Sequence, residues 1–321
     1  MQLGIKNIKE KSLRSSYLNF FRRNKLPLEQ LEKYYCKRRE QKFEADCIIS
    51  GILIRRIIHF PIIIALKLWH RICNVKCNVI YNHSAKVKKP TIYAATHICW
   101  DDIEYIFDAI KKHTYLFLGD PKNLYRTFDG AMLDLNGCVI CELKDKRDRY
   151  IAKETAIKLL NKGENLLIFP EGVWNTSENK LLNFLFPGIA EMAIRTNADI
   201  VPIAIERSDK RFDIAVGENI DVSDYKMQEK NILLHEIRDS MATLKWDVLE
   251  ASGVYKRAEL PENYSAVFKN KIIQDARGEY GWSDFKEQEY HPKEIAEREE
   301  VFSFMKKLSL NKNTAFLLRD N

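Results

Sequence analysis

The chain has 321 residues, 45% of them hydrophobic and 11% aromatic, with a formal net charge of +7. That length holds one sizeable α/β domain plus extensions, and the globular composition excludes a disordered chain. The charge is uneven: residues 1–89 carry 20 Lys and Arg against 6 Asp and Glu, and the remainder carries 32 against 39.

Residues 1 to about 45 read as polar helices, with Pro27-Leu28-Glu29-Gln30 a helix start. Residues 48–72 are strongly apolar but include Arg55, Arg56, Lys67 and Arg71. Their longest charge-free run, residues 57–66, makes a helix of only about 15 Å, roughly half a hydrocarbon core. Pro61 is expected to interrupt it. Such a segment is too short to cross a bilayer. It suits an interfacial helix dipping into one leaflet, with arginines at the headgroups and Trp69 at the boundary. A helix packed on the central domain is a compatible alternative. The basic amino-terminal third fits anionic headgroups, each cation contributing on the order of 1 kcal/mol near the surface. A solvated basic hairpin is the plainer reading. Nucleic acid is a rival partner, but no recognition motif accompanies the charge, and none is expected.

A strand near residues 75–81 opens the central domain, and residues 86–90 read as a loop. Strands near 91–95, 114–118, 137–142, 165–169 and 199–206 alternate with helices near 101–112, 148–162 and 187–197. Gly163 is a stop for the helix that begins near Asp148, and residues 212–217 add a late strand. This alternation implies an α/β fold with a mostly parallel central sheet flanked by helices. From about Tyr225 the pattern turns helical, with Ile232, Leu233, Ile237, Met241, Leu244 and Val248 at helical spacing. Residues 255–292 are polar and aromatic-rich without a clear pattern, and a final helix is expected over 292–308. The expected organisation is a basic, helical, membrane-associating segment (1–74), a catalytic domain (75–222) and a mainly helical carboxyl-terminal extension (223–321).

Seven cysteines (Cys36, Cys47, Cys73, Cys77, Cys99, Cys138 and Cys141) are an odd, scattered set in a chain without a signal-peptide pattern. They favour a reduced cytoplasmic setting. Cys138 and Cys141 form a CxxC inside an apparent strand with no second pair, so no metal or redox site is expected.

Two motifs carry chemistry. His97-Ile98-Cys99-Trp100-Asp101-Asp102 follows the short buried strand Thr91-Ile92-Tyr93-Ala94-Ala95 and opens an acid-rich helix. His97 therefore sits at the carboxyl end of a strand, where open α/β sheets place their sites. A neutral imidazole can take a proton near neutrality, and a carboxylate on its other nitrogen fixes the tautomer. Asp102 is the expected carboxylate and Asp101 the competitor. About seventy residues on, Phe169-Pro170-Glu171-Gly172 ends the apolar run Asn165-Leu166-Leu167-Ile168. Gly172 allows close approach or a positive φ, and a buried Glu171 needs hydrogen bonds. Alone, each motif is better read as ordinary structure: a capping histidine, and a strand-ending turn.

HxxxxD followed by FPEG, in this order and spacing, resembles the glycerolipid acyltransferase family, typified by 1-acylglycerol-3-phosphate acyltransferases. The resemblance covers roughly residues 75–220, including Phe186-Pro187-Gly188 and the Val201-Pro202-Ile203 block. It implies a glycerol-3-phosphate acyltransferase-like fold in which His97 deprotonates an acceptor hydroxyl that attacks an acyl thioester directly. It also implies that Phe169, Pro170, Glu171 and Gly172 bind the acceptor. The donor implied is acyl-CoA or acyl-carrier protein, with no cofactor or metal, at the cytoplasmic face of a membrane as a peripheral, monotopic enzyme.

The sequence departs from the family in three places. Where relatives carry phosphate-gripping arginines, this chain has Trp174 and Leu143, and neither can hold phosphate bidentately. Lys144, Lys146 or Arg147 is available to reach in, so Lys144 and Arg147 join Trp174 as candidate acceptor-binding residues. An equally good reading is an acceptor without this phosphate, such as a sugar or glycolipid, on which Trp174 stacks; Trp174 as mere packing is the third. Cys99 replaces the usual serine as a small packing residue. An acyl thioesterase and a non-catalytic membrane-surface binding protein are the alternatives from other classes.

Overall fold

The computed structural model describes residues 26–84, 89–119, 128–177, 180–208, 210–253, 257–276 and 281–292. Two helices, α1 (Leu28–Glu44) and α2 (Ile52–Ile72), precede β1 (Lys76–Asn82) and β2 (Thr91–Ala95). Then come α3 (Asp102–Ile110), β3 (Tyr115–Gly119), α4 (Phe128–Asn136), β4 (Cys138–Cys141), α5 (Lys146–Asn161) and β5 (Leu166–Ile168). The order continues with α6 (Gly188–Thr196), β6 (Asp199–Ser208), β7 (Arg211–Val216), α7 (Lys230–Ser252), α8 (Tyr264–Asp275) and α9 (Trp282–Gln288).

The strands form one sheet in the order β1-β7-β6-β2-β5-β3-β4. Five neighbours, β6 to β4, run parallel; β7 is antiparallel to β6 and carries β1 parallel to itself. The mostly parallel sheet expected from the alternating pattern is present. Both faces are covered, which is why the central strands read as unbroken apolar runs. Side chains alternate between the faces. Ile92, Ala94, Leu166 and Ile168 pack beneath α5, α6 and α7, whereas Tyr93, Ala95, Leu167 and Phe169 pack against α3.

Local chemistry sets the helix ends. The Asp145 carboxylate accepts from the amides of Arg147 and Asp148, starting α5 two residues before the expected Asp148. Gly163, at φ +80°, ends it as the sequence indicates. Helix α1 starts at Pro27 and docks on α5 through a bidentate Arg39–Asp148 pair at 2.8 and 2.7 Å.

Pro61 does not break α2, which runs through it. The proline and Ile57, whose carbonyl loses its helical partner, both lie on the exposed face, so the gap in the ladder falls on the solvent side. His59 and Ile63 hold the opposite face to the domain. Helix α4 and the pair α8 and α9 were not anticipated, and the final helix expected over 292–308 lies outside the described residues. No described helix is long and apolar enough to cross a membrane.

Candidate active site

Strand register builds the site. Ala94 pairs with Ile168, and Ala95 with Ile203, so the chain leaving β2 emerges between the turn after β5 and strand β6. Thr96 closes this junction by bonding the Ile203 and Ile205 backbone. His97 therefore meets the Phe169–Trp174 turn at the carboxyl end of the parallel strands.

His97 Nδ1 lies 2.8 Å from Oδ2 of Asp102, which is fully buried in the first turn of α3. The same oxygen accepts the Ile98 and Cys99 amides at 2.9 and 3.3 Å, so the carboxylate holds the loop as well as the ring. The other ring nitrogen, Nε2, accepts the Trp174 indole N–H at 3.0 Å. Indole nitrogen is only a donor, so Nε2 carries the lone pair and Nδ1 the proton. That is the tautomer a general base requires. Phe169 stacks on the imidazole at 4.1 Å and 22°. Cys99 is buried, and burial pushes its thiol well above the usual range, in keeping with packing rather than nucleophilic attack.

Glu171 is fully buried. Burial is the main effect on its carboxyl, pushing it up to about 7. The Asn183 amide, donating to Oε2 at 2.8 Å, and the charges of Lys245 and Arg238 on α7 pull the other way. The His97 amide faces the carboxyl from beyond normal hydrogen-bond geometry, and Oε1 has no partner. Glu171 thus lies beneath the histidine loop and the 182–186 segment. Pro170 accepts the Phe186 amide at 2.8 Å. Gly172 has φ +72°, and a Cβ there would stand 2.3 Å from the Phe186 ring, so both conformation and space demand glycine.

Of the sequence-derived candidates, His97, Asp102, Phe169, Pro170, Glu171, Gly172 and Trp174 come together. Lys144 and Arg147 do not join them. Lys144 is exposed past edge strand β4, and Arg147 pairs with Glu40 of α1 at 2.9 Å with its guanidinium over Tyr150. Sequence reading passed over Trp100, Asn183, Arg207 and Phe285, which the fold brings to the edge of this cluster. Nothing in their local spacing marks them.

A family model described as Acyltransferase matches residues 76–206, from the start of β1 to within β6. Over these residues the chain is similar to acyltransferase domains. This match agrees with the enzymatic class that the two motifs imply. No curated protein matches the chain. Among solved structures, the chain is similar to the 1-acyl-sn-glycerophosphate (LPA) acyltransferase PlsC from Thermotoga maritima. The likeness has a TM-score of 0.46 and 15% identity, covering 79% of this chain and 97% of that one. The matched residues hold His97, Asp102 and the Phe169–Trp174 turn; helices α7, α8 and α9 lie beyond the acyltransferase domain.

Proposed function

We propose that the chain transfers a fatty acyl group from acyl-CoA or acyl-carrier protein to a hydroxyl of a lysophospholipid or related acceptor at a membrane surface. The observation that carries this reading is the buried Asp102 carboxylate on Nδ1 of His97, which leaves the Nε2 lone pair as base. The acceptor hydroxyl gives its proton to Nε2 as its oxygen attacks the thioester carbonyl. The tetrahedral intermediate then collapses and the C–S bond breaks. The departing thiolate takes the proton from the imidazolium, which Asp102 has stabilised meanwhile, and leaves as thiol. Neutral histidine suffices for this attack, so the reaction calls for no metal or cofactor.

Helix α2 supports the membrane setting. Leu53, Ile54, Ile57, Phe60, Ile64, Leu68, Trp69 and Ile72 are each more than half exposed on one helix. Burying one such side chain contributes roughly 2 kcal/mol, so a bilayer interface is a strong attractor for this stripe. Arg55 and Arg56 are engaged within the chain, by carbonyls in the last turn of α4 and by Glu164, contrary to their expected place at headgroups. Arg71 and Lys76 remain exposed to meet anionic lipid. The cytoplasmic face of the membrane is the matching location.

A second acceptor class is favoured by one feature. Trp174, not a cation, stands beside the base nitrogen, and Arg147 is engaged by Glu40. A sugar or glycolipid hydroxyl fits such an aromatic wall. The deciding experiment is mass spectrometry of products after incubating the protein and His97→Ala with palmitoyl-CoA, lysophosphatidic acid and glycolipid and sugar acceptors on phospholipid vesicles. A histidine-dependent phosphatidic product supports the first class, and one on a phosphate-free acceptor the second. Release of free fatty acid alone would make the chain a thioesterase. Vesicle binding unaffected by Leu68→Glu would remove α2 from the reading.

A further inference from the structure

The base nitrogen of His97 is occupied. The Trp174 indole N–H sits on Nε2 at 3.0 Å, where the acceptor hydroxyl must place its own proton. A donor in that position cannot assist proton removal; it blocks it. The indole is 5% exposed and is held from the far side by residues outside the matched acyltransferase domain. Phe285 of α9 stacks on it at 5.2 Å and 28°, while Trp100, from within that domain, meets it edge-on at 5.8 Å. Ile272 and Ala276, at the end of α8, complete the buried cluster around Val173 and Trp174.

The helix pair is itself fastened to the domain on two sides. Arg207, at the end of β6, pairs with Asp275 of α8 at 3.0 Å. Beyond α9, Glu289 pairs with Lys180 at 3.2 Å, and Tyr290 stacks on Phe186, the ring that covers Gly172. The fastenings therefore end on the segments that shape the site: the end of β6, the residue 180–186 stretch and the Gly172 turn.

We propose that Trp174 is the gate of the acceptor site, held on His97 by helices α8 and α9. This deepens the acyltransferase reading by assigning a role to the carboxyl-terminal extension. The acceptor reaches Nε2 only after the indole leaves, and the indole leaves only when Phe285 loosens or turns. Opening forfeits one hydrogen bond and the aromatic contacts of Trp174, so the closed state prevails without substrate.

The test uses the full chain without substrate. Diethyl pyrocarbonate acylates an accessible imidazole lone pair, and peptide mass spectrometry reads its rate at His97 against the exposed His83. Trp174→Phe keeps a ring against Phe285 but removes the N–H; Phe285→Ala keeps the N–H but removes its backing. Both should accelerate modification of His97, Trp174→Phe by roughly five-fold for one lost hydrogen bond. Acyl transfer by Trp174→Phe should show a higher kcat/KM. An unchanged modification rate in Trp174→Phe overturns the gate, even if Phe285→Ala does not fold. Faster modification with lower turnover also overturns it, because the indole would then belong to the machinery. Failure of acyl transfer in wild type and variants alike would instead refute the acyltransfer chemistry, with the modification rates still deciding the gate.

Discussion

Two clusters in this molecule combine a histidine with a buried carboxyl, and they differ in where the lone pairs go. At the carboxyl end of the sheet, Asp102 accepts a hydrogen bond from Nδ1–H of His97, and Nε2 points at Trp174, a group able to move away. Under α2, the groups close on one another, save for His113 Nδ1, which is buried without a hydrogen bond. His59 Nδ1 donates to Asn136 Oδ1 at 2.7 Å, while Asn136 Nδ2 donates to the Thr114 carbonyl at 3.0 Å. His113 Nε2 donates to the Asn136 carbonyl at 2.9 Å, and its Nδ1 stands 3.4 Å from Glu164, which Arg56 pairs. Every partner there is a backbone group or a fixed side chain from α2, α4 or a strand end. A histidine beside a carboxyl is thus a reactive arrangement only where one nitrogen meets something replaceable; otherwise it is a clamp, here fastening the apolar helix α2 to the domain.

The largest effect that can break this contrast is on turnover. Asp102→Asn removes the carboxylate that selects the tautomer, and acyl transfer should fall by about 10²- to 10⁴-fold. His59→Leu should leave kcat/KM within about two-fold of wild type when assayed well below its melting temperature, because its partners lie outside the site. Comparable losses of turnover in both variants would erase the distinction.

The legibility of the two clusters follows the same division. His97, Asp102 and the Phe169–Gly172 turn stand out in the sequence because a parallel strand ending in a chemical group leaves a local record: an unbroken apolar run, then a short polar motif. The clamp has no such record, since His59, His113, Asn136 and Glu164 come from separate elements at no fixed spacing. Helix α4 is only nine residues and α2 survives its proline because of which face meets water, a tertiary fact. The orientation of Trp174 is set by Phe285, 111 residues away in the sequence, so no local reading reaches it. Arg147 lies four residues past the expected arginine position, Leu143, yet its side chain follows Glu40 of α1.

A second contrast lies between two buried glutamates. Glu164 has Arg56 against it, whereas Glu171 has no ion pair and an unpartnered Oε1. Its carboxyl titrates near 7 in the fold against 4.5 ordinarily, chiefly through burial. The folded state therefore binds a proton that the unfolded chain has lost, and stability must fall as pH rises from about 4.5 to 7. The shift corresponds to on the order of 3 kcal/mol. Glu171→Gln, neutral throughout, should lose this slope in urea unfolding measured across that range. Asp239, raised to about 6 by burial, contributes to both proteins and cancels in the comparison. Identical slopes in the two would mean that Glu171 is ionised in the fold.

The clamp should show the opposite sign, at smaller size. Burial, more than the nearby His113, lowers the affinity of His59 for a proton, and the bond to Asn136 only partly offsets it. A base with a depressed folded pKa stabilises the fold above its unfolded value, near 6.5, and that stability drains away as pH falls below it. His59→Leu leaves Asn136 Oδ1 buried without a donor, which should cost about 1–3 kcal/mol at pH 8. At pH 5.5 the wild type has lost part of its own advantage, so the measured difference should shrink. The site and its clamp thus pull the stability curve in opposite directions: Glu171 lowers stability as pH rises from about 4.5 to 7, and His59 lowers it as pH falls below about 6.5. A difference that is constant from pH 8 to 5.5 would show that His59 titrates alike in the folded and unfolded chain, and that α2 is held by its apolar inner face alone.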